Sequence, residues 1–308
     1  MTITLAQLEA ETARRVGPYV ETFSDRQVPS TAASTFAFFP ELRSTIDLDS
    51  VTNLWALRRG QCWDPTTGLF DEIDDIPLAD RQRLVAEYDP ARGQVFVDRP
   101  WGTSLPEAGE WFEFHHLNPS MELRRAVQAG LRRCFIQDQL QVAPTSQYGA
   151  IDLTAQCPWL TDGQQVQRVQ YGWATAVADA PFDTVTSGGH VYLTGTTGPY
   201  APVTLWLTAM RPAWSWVNGA DSTGPTDDWD ELEVDLDYAA AAGHIEAWHL
   251  FPARLQAAAA GGIQATQEMA AREFTRQSLI HFPVRQTQVA FKEVTGLSSV
   301  GPPSWVNL

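Results

Sequence analysis

The chain has 308 residues, room for one large domain or two ordinary ones, and a 44% apolar fraction that can fill real cores. Its formal net charge of −16 excludes a protein that grips nucleic-acid phosphates through clustered lysine and arginine, but it suits a surface past which DNA slides without sticking. Only 19% of residues are charged and 12 are Trp, a balance that predicts faces meeting other chains or a tryptophan-filled β core.

Residues 3–16 (ITLAQLEAETARRV) predict an amphipathic helix with Leu5, Leu8 and Val16 on its apolar face and Glu9, Glu11, Arg14 and Arg15 elsewhere. Gly17-Pro18 stops it. Residues 30–34 are small and polar, and predict a loop or extended edge. A β-rich run follows, with strand character at 51–58, 81–88, 94–98 and 110–116. Asp89-Pro90 and Gly93 place a hairpin turn between the second and third of these. In the last, Trp111 and Glu113 share one face while Phe112 and Phe114 share the other.

Asn118-Pro119 opens a helix over 120–136. Met121, Leu123, Val127, Leu131, Cys134 and Phe135 form its stripe, and Arg124, Arg125, Arg132 and Arg133 cover the other side. A second β module spans 146–217, with strands at 149–155, 165–174, 190–195 and 203–210 and with Trp214 and Trp216 on one strand face. Residues 218–237 are polar and acidic. Helices follow at 238–250 and 263–280, and Pro283, Pro302 and Pro303 make the last segment an extended tail. The pattern has no internal repeat.

The expected fold class is α+β: a helical core interrupted by two β-rich barrel- or sandwich-like modules. The expected segments are an N-terminal helix at 1–17, a first β module at 30–117, a core helix at 118–140, a second β module at 146–217, C-terminal helices at 232–281 and an extended tail at 282–308.

Cys62, Cys134 and Cys157 are widely spaced without a C-x-x-C pair, so neither a zinc knuckle nor a disulfide framework is expected. Cys134 reads as a small buried apolar residue, and the set as one made in a reducing compartment. Met1 to Leu5 shows no basic segment followed by an apolar run, and no stretch approaches the roughly 18 apolar residues of a membrane span. A soluble protein made in the cytoplasm is expected.

Candidate chemistry is sparse. Asp227, Asp228 and Asp230 suggest Ca²⁺, but the central Gly of an EF-hand loop is missing, so the run 227–237 reads as a solvated, repelling loop. His115 and His116 adjoin Glu113, yet neighbours on a strand point to opposite faces, which predicts two half-exposed histidines rather than a metal site. His244 and His249 are five apart around Glu246, which breaks the H-E-x-x-H order of a zincin. Ser187-Gly188-Gly189-His190 is a turn and not a nucleophile elbow, and no phosphate-binding glycine motif occurs. Paired carboxylates of a glycosidase remain open, and Trp206, Trp214 and Trp216 are available to stack on sugars.

The stretches TLAQLEAETARRVGPYV (4–20), RLVAEYDPARGQVFVDRPW (83–101) and EAGEWFEFHHLNPSMELRRAVQAGLRRCF (107–135) together resemble head–tail connector and neck adaptor proteins of tailed bacteriophages. In that family a β module sits between the first helix and a second helix that starts after an N-P or similar cap. The likeness covers roughly the first 140 residues. Beyond them it is looser, resting on Pro158-Trp159-Leu160 and Ala209-Met210-Arg211-Pro212. Known adaptors are often shorter, and the second β module is extra. The resemblance implies a structural virion protein without enzymatic activity and with no catalytic, cofactor or metal residues. It implies a homo-oligomeric, dodecameric ring assembled in the host bacterial cytoplasm. That ring would dock under the portal protein, join a downstream neck or tail protein through its C-terminal tail, and let DNA pass without specific binding. A tail or baseplate subunit, or a virion protein that binds or cleaves carbohydrate, is the alternative.

Overall fold

The structure, a computed structural model, describes residues 2–17, 20–24, 35–39, 54–64, 66–67, 69–72, 76, 78–89, 91–102, 104–115, 117–142, 150–173, 176–179, 182–194, 204–256 and 263–281. The predicted tail 282–308 and the loop 30–34 lie outside them. The chain is α+β.

A short strand β1 (Ile3–Thr4) leads into helix α1 (Leu5–Val16). Thr4 starts α1 through a capping box: its hydroxyl accepts from the Gln7 N–H, and the Gln7 side chain accepts from the Thr4 N–H. Gly17 closes it, its N–H donating to Ala13. The first β module contains β2 (Val20–Phe23), β3 (Phe36–Phe38), β4 (Trp55–Asp64), β5 (Leu69–Glu72), a single helical turn α2 (Leu78–Arg81), β6 (Gln82–Asp89), β7 (Gln94–Val97) and β8 (Glu110–His115). Its seven strands form one antiparallel sheet in the order β2-β8-β4-β6-β7-β3, with β5 paired to β4. The predicted hairpin joins β6 to β7: Asp89 Oδ1 accepts from the N–H groups of Ala91 and Arg92, and Gly93 adopts φ 62°.

Three predicted boundaries move. The sheet begins at β2, ahead of residue 30, because β2 pairs with β8. Strand β4 runs on past Arg58-Arg59 to Asp64, because Gly60 at φ 69° and an irregular pairing with β8 let it bend. Strand β6 starts one residue later than predicted, after α2.

The predicted helix 120–136 is a π turn at Pro119–Leu123 followed by α3 (Arg124–Arg133). Cys134 is already extended (φ −88°, ψ 134°), and β9 (Phe135–Val142) departs from there into the second β module. That module continues with β10 (Ile151–Asp152), a 3₁₀ turn at Gly163–Gln165, β11 (Val166–Trp173), β12 (Ala176–Asp179), β13 (Asp183–Ser187), β14 (His190–Thr194) and β15 (Thr204–Pro212). Strands β9, β12 and β13 escaped the sequence reading, and the predicted strand 149–155 shrinks to β10 because residues 153–156 turn. The order β12-β11-β15-β9 makes one sheet and β10-β14-β13 another. Both sheets feed one core that includes Val142, Ile151, Val169, Leu193, Leu205 and Leu207, so the module is a sandwich.

After β15 a 3₁₀ turn (Ala213–Ser215) leads to β16 (Trp216–Val217), β17 (Ala220–Asp221) and β18 (Glu231–Leu232). Trp214 and Trp216 therefore do not share a strand face as predicted, because Trp214 sits on the turn. Strand β1 pairs with β18, tying the chain start to this region. Helices α4 (Leu236–Leu250), α5 (Pro252–Gln256) and α6 (Ile263–His281) complete the bundle. Asp235 caps α4 by accepting from the Tyr238 N–H.

Helix α4 is the bundle's centre and packs against α1, α3 and α6. Its run Ala239–Ala242 is buried, as expected of a helix with apolar residues all round. Tyr238 stacks on Phe274 of α6 at 5.6 Å. The bundle core, which includes Leu5, Leu8, Val127, Leu131, Cys134, Ile245 and Phe274, is separate from the core of each β module.

Candidate functional site

Arg58 and Arg59 are neighbours on β4, so strand geometry sends their side chains to opposite faces. Both are buried. Arg58 enters the aromatic core of the first module, 5.7 Å from the Trp101 ring. It forms a fork with Glu110, Nε to Oε1 at 2.5 Å and Nη2 to Oε2 at 2.8 Å, and Nη1 donates to Ser104 O at 2.6 Å. Burial pushes the Glu110 carboxyl up, and Arg58 opposes that shift.

Arg59 faces the helix bundle. Its Nη1 donates to Glu9 of α1 at 2.9 Å and to Asp228 at 3.2 Å, and its Nη2 to Glu113 of β8 at 2.7 Å. Arg124, opening α3, donates from Nε to Glu9 at 2.7 Å and also binds Asp228. Arg81 of α2 reaches Asp228 at 3.4 Å. His115 Nε2 lies 3.1 Å from Glu113 Oε2. Glu9, Glu113 and Asp228 thus meet Arg59, Arg81 and Arg124, a set balanced in charge. Buried carboxylates persist only when paired in this way. Burial alone would lower the Arg59 pKa, but Glu113, Glu9 and Asp228 hold it well above its ordinary value. Burial would likewise raise Glu113, and Arg59 and His115 hold it at about 2. Asp228 is depressed against burial by Arg59 and Arg124.

This junction corrects four sequence expectations. Asp228 is 3% exposed, so the acidic run is not a solvated loop throughout. Its neighbours shape turns: Asp230 accepts from the N–H groups of Thr226 and Asp227, and Asp227 from that of Trp229. His115 is 1% exposed rather than half-exposed, because the bundle covers the second face of β8; His116 lies outside the described residues. Arg124 turns inward, whereas Arg125 and Arg132 are exposed as expected. Glu9 belongs to the buried face of α1 with Leu5, Leu8 and Thr12, a placement that the 3.6-residue period implied once Glu9 was allowed on the stripe.

The other candidates lie apart from the junction. Ser187-Gly188-Gly189-His190 is the β13–β14 hairpin turn, with both glycines at positive φ and His190 Nδ1 2.9 Å from Asp152. Glu246 pairs with Arg133 at 2.9 Å and lies 3.2 Å from His249. Trp206 is 40% exposed on β15. Trp214 and Trp216 instead carry the guanidiniums of Arg132 (5.4 Å) and Arg211 (4.2 Å) on their rings. Among the described residues no group of three or more His, Cys, Asp and Glu is disposed to hold a metal ion, and no helix is long and apolar enough to cross a membrane.

His244 on α4 accepts the indole N–H of Trp248 at 3.1 Å, which requires its Nε2 to be unprotonated. Burial, aided by Arg15, lowers its pKa to about 4. The folded state therefore binds fewer protons than the unfolded one between pH 6.5 and 4. His244 contributes its stability above pH 6.5 and loses it as the pH falls towards 4. His244→Gln is expected to flatten the slope of unfolding free energy against pH across that window. An unchanged slope in denaturant titrations would refute the assignment.

The fold and junction define a class: an α+β protein whose helix bundle carries two separately cored β modules, the first locked on by buried ion pairs. The chain matches no protein-family model, and neither curated proteins nor solved structures give a match.

Proposed function

We propose that this chain is a structural virion protein of a tailed bacteriophage, a head-to-tail adaptor that forms a dodecameric ring in the neck between portal and tail. One observation carries the reading. A single bundle is assembled from the start, middle and end of the described chain, and two β modules with cores of their own project from it. Such a body suits repeated side-by-side packing of bundles, with the modules presented to neighbours. The buried junction supports it, because charge pairs that exclude water hold the first module at one orientation. The net charge of −16 supports it too, since a wall that repels phosphate lets DNA through without retention.

The test joins composition to assembly. Mass spectrometry of purified virions is expected to contain the chain, and cryo-electron microscopy to place it as a ring at the neck. Removing residues 282–308 is expected to leave the melting temperature unchanged and to abolish ring formation. Virions lacking the chain would overturn the proposal, and unimpaired assembly of the truncated chain would remove the docking role of its tail.

A further inference from the structure

Strand β9 forms one edge of the sheet β12-β11-β15-β9. It pairs with β15 along its whole length, Phe135–Val142, without a shift of register. Other edge strands among the described residues, β2, β3, β12 and β13, run only three to five residues. Short length, lysine, proline and bulges ordinarily keep a sheet edge from pairing with another chain. Strand β9 has none of them, and its one charge, Asp138, is held by Arg211 of its own chain at 3.0 Å. Burial shows that the edge is open. Ile136, Asp138 and Leu140 share a side of the sheet with Arg211, Ala209 and Leu207 of β15, which are 2%, 0% and 1% exposed. The β9 residues on that side are nevertheless only half-buried, and Gln137, Gln139 and Gln141 on the other side are exposed. Alternate residues of β9 send their N–H and C=O groups towards β15, and the rest send theirs outward.

We propose that the open edge of β9 pairs with β9 of a second copy of this chain, antiparallel about a twofold axis at Gln139, joining two four-stranded sheets into one. The strand's own sequence selects that partner. Ile136–Val142 reads almost alike from either end: a β-branched residue, Gln, a variable position, Gln, a variable position, Gln and a β-branched residue. A twofold contact brings the same patch of both copies together, so it demands a self-complementary patch, which pairing with a foreign strand does not. Centred on Gln139, the register sets Ile136 against the second copy's Val142, Gln137 against its Gln141, Asp138 against its Leu140 and Gln139 against its Gln139. Glutamine then faces glutamine along the exposed row, and each amide both gives and accepts a hydrogen bond. Ile136 and Leu140 lose the exposure that the open edge leaves them, and the outward N–H and C=O groups of each strand satisfy those of the other. Charge agrees with this partner. Each chain carries −16, so copies meet only where like charges do not face one another. Here Asp138 stands opposite Leu140 and keeps its Arg211, and no two like charges are opposed. This inference stands independently of the neck assignment.

Sedimentation velocity of the full chain from low to high micromolar concentration is expected to show a reversible dimer. Hydrogen exchange of the unaltered chain is expected to slow at the outward amides of β9 as the concentration rises. Gln139→Lys sets two like charges opposite each other at the axis, and Gln139→Glu does the same with the other sign. Each is expected to weaken the dimer about fivefold, which corresponds to about 1 kcal/mol. Mixing the two variants sets opposite charges there and is expected to give a dimer tighter than either variant alone forms. Gln139 is exposed, so neither change disturbs the fold, which circular dichroism checks. Removing residues 282–308 is expected to leave this dimer unchanged while abolishing the ring of the neck assignment, so the two proposals fail separately. A chain that stays monomeric, or β9 amides that exchange alike at every concentration, overturns the proposal. So does an undiminished dimer in both single variants, or a mixture no tighter than either. Loss of the dimer with the tail also overturns it, and would make the tail the strand that covers β9.

Discussion

Arg59→Ala is expected to destabilise the protein by about 3–5 kcal/mol, the range found when one partner is removed from a buried ion pair. The loss arises from what stays behind. Glu113 at 2.7 Å, Glu9 at 2.9 Å and Asp228 at 3.2 Å would share one site with too little positive charge. Arg124 and Arg81 would remain, but Glu113 has neither within the contacts that hold it; its partners are Arg59 and His115. The stabilisation from Glu113 is in place above pH 4.5 and is lost as the pH falls towards 2, because its folded pKa is depressed to about 2. Arg59→Ala should therefore lower stability strongly at neutral pH and less in acid, where Glu113 deprived of Arg59 takes up a proton. Adding Glu113→Gln to Arg59→Ala should recover part of the loss, since it removes the orphaned charge. Chemical denaturation at pH 7 and pH 3 checks all three statements. A single variant that melts with the unaltered protein would show that the junction contributes nothing to holding module and bundle together.

Gly130→Ala is expected to cost about 3 kcal/mol, although alanine favours a helix over glycine by about 1 kcal/mol. At position 130 on α3 an added Cβ would stand 2.5 Å from Gly243 N, 2.7 Å from Ala242 C and 2.8 Å from Gly243 Cα. These are backbone atoms of α4 and cannot rotate aside, so the helices must part. The crossing is shared, because a Cβ at Gly243 would meet the Thr12 side chain of α1 at 2.9 Å. Spreading α3 from α4 would loosen the packing around Leu131 and Ile245, both in the bundle core. Thermal unfolding measures the effect, and a Gly130→Ala chain as stable as its parent would contradict this account of the helix crossing.

Local chemistry made much of the fold readable. The Asp89, Pro90 and Gly93 set marked the β6–β7 hairpin because an aspartate side chain and a left-handed glycine are what a tight turn needs. Alternation in 110–116 put Phe112 and Phe114 together on one face, which the structure buries, and the helical stripe put Leu131 and Cys134 in the core, both 0% exposed. Edge strands were harder. Strand β9 alternates exposed Gln137, Gln139 and Gln141 with half-buried neighbours, and helical signals from the preceding segment concealed its start. The junction was least legible. A glutamate in a helix, an arginine pair in a strand and an aspartate in an acidic run each look like solvated surface when read alone.

What the amino-acid sequence by itself determined about this protein is the class of its parts: helices before, between and after two β-rich stretches, and a strongly acidic balance. Those properties follow from periodicity and turn chemistry, which act over a few residues. Tertiary structure alone decided which charges are buried. Glu9, Arg59, Glu113, Arg124 and Asp228 lie far apart in the chain and acquire their roles only when α1, β4, β8, α3 and the loop before β18 converge. The physical reason is that a charge leaves water only where an opposite charge is already waiting, and no local pattern encodes where that partner will be.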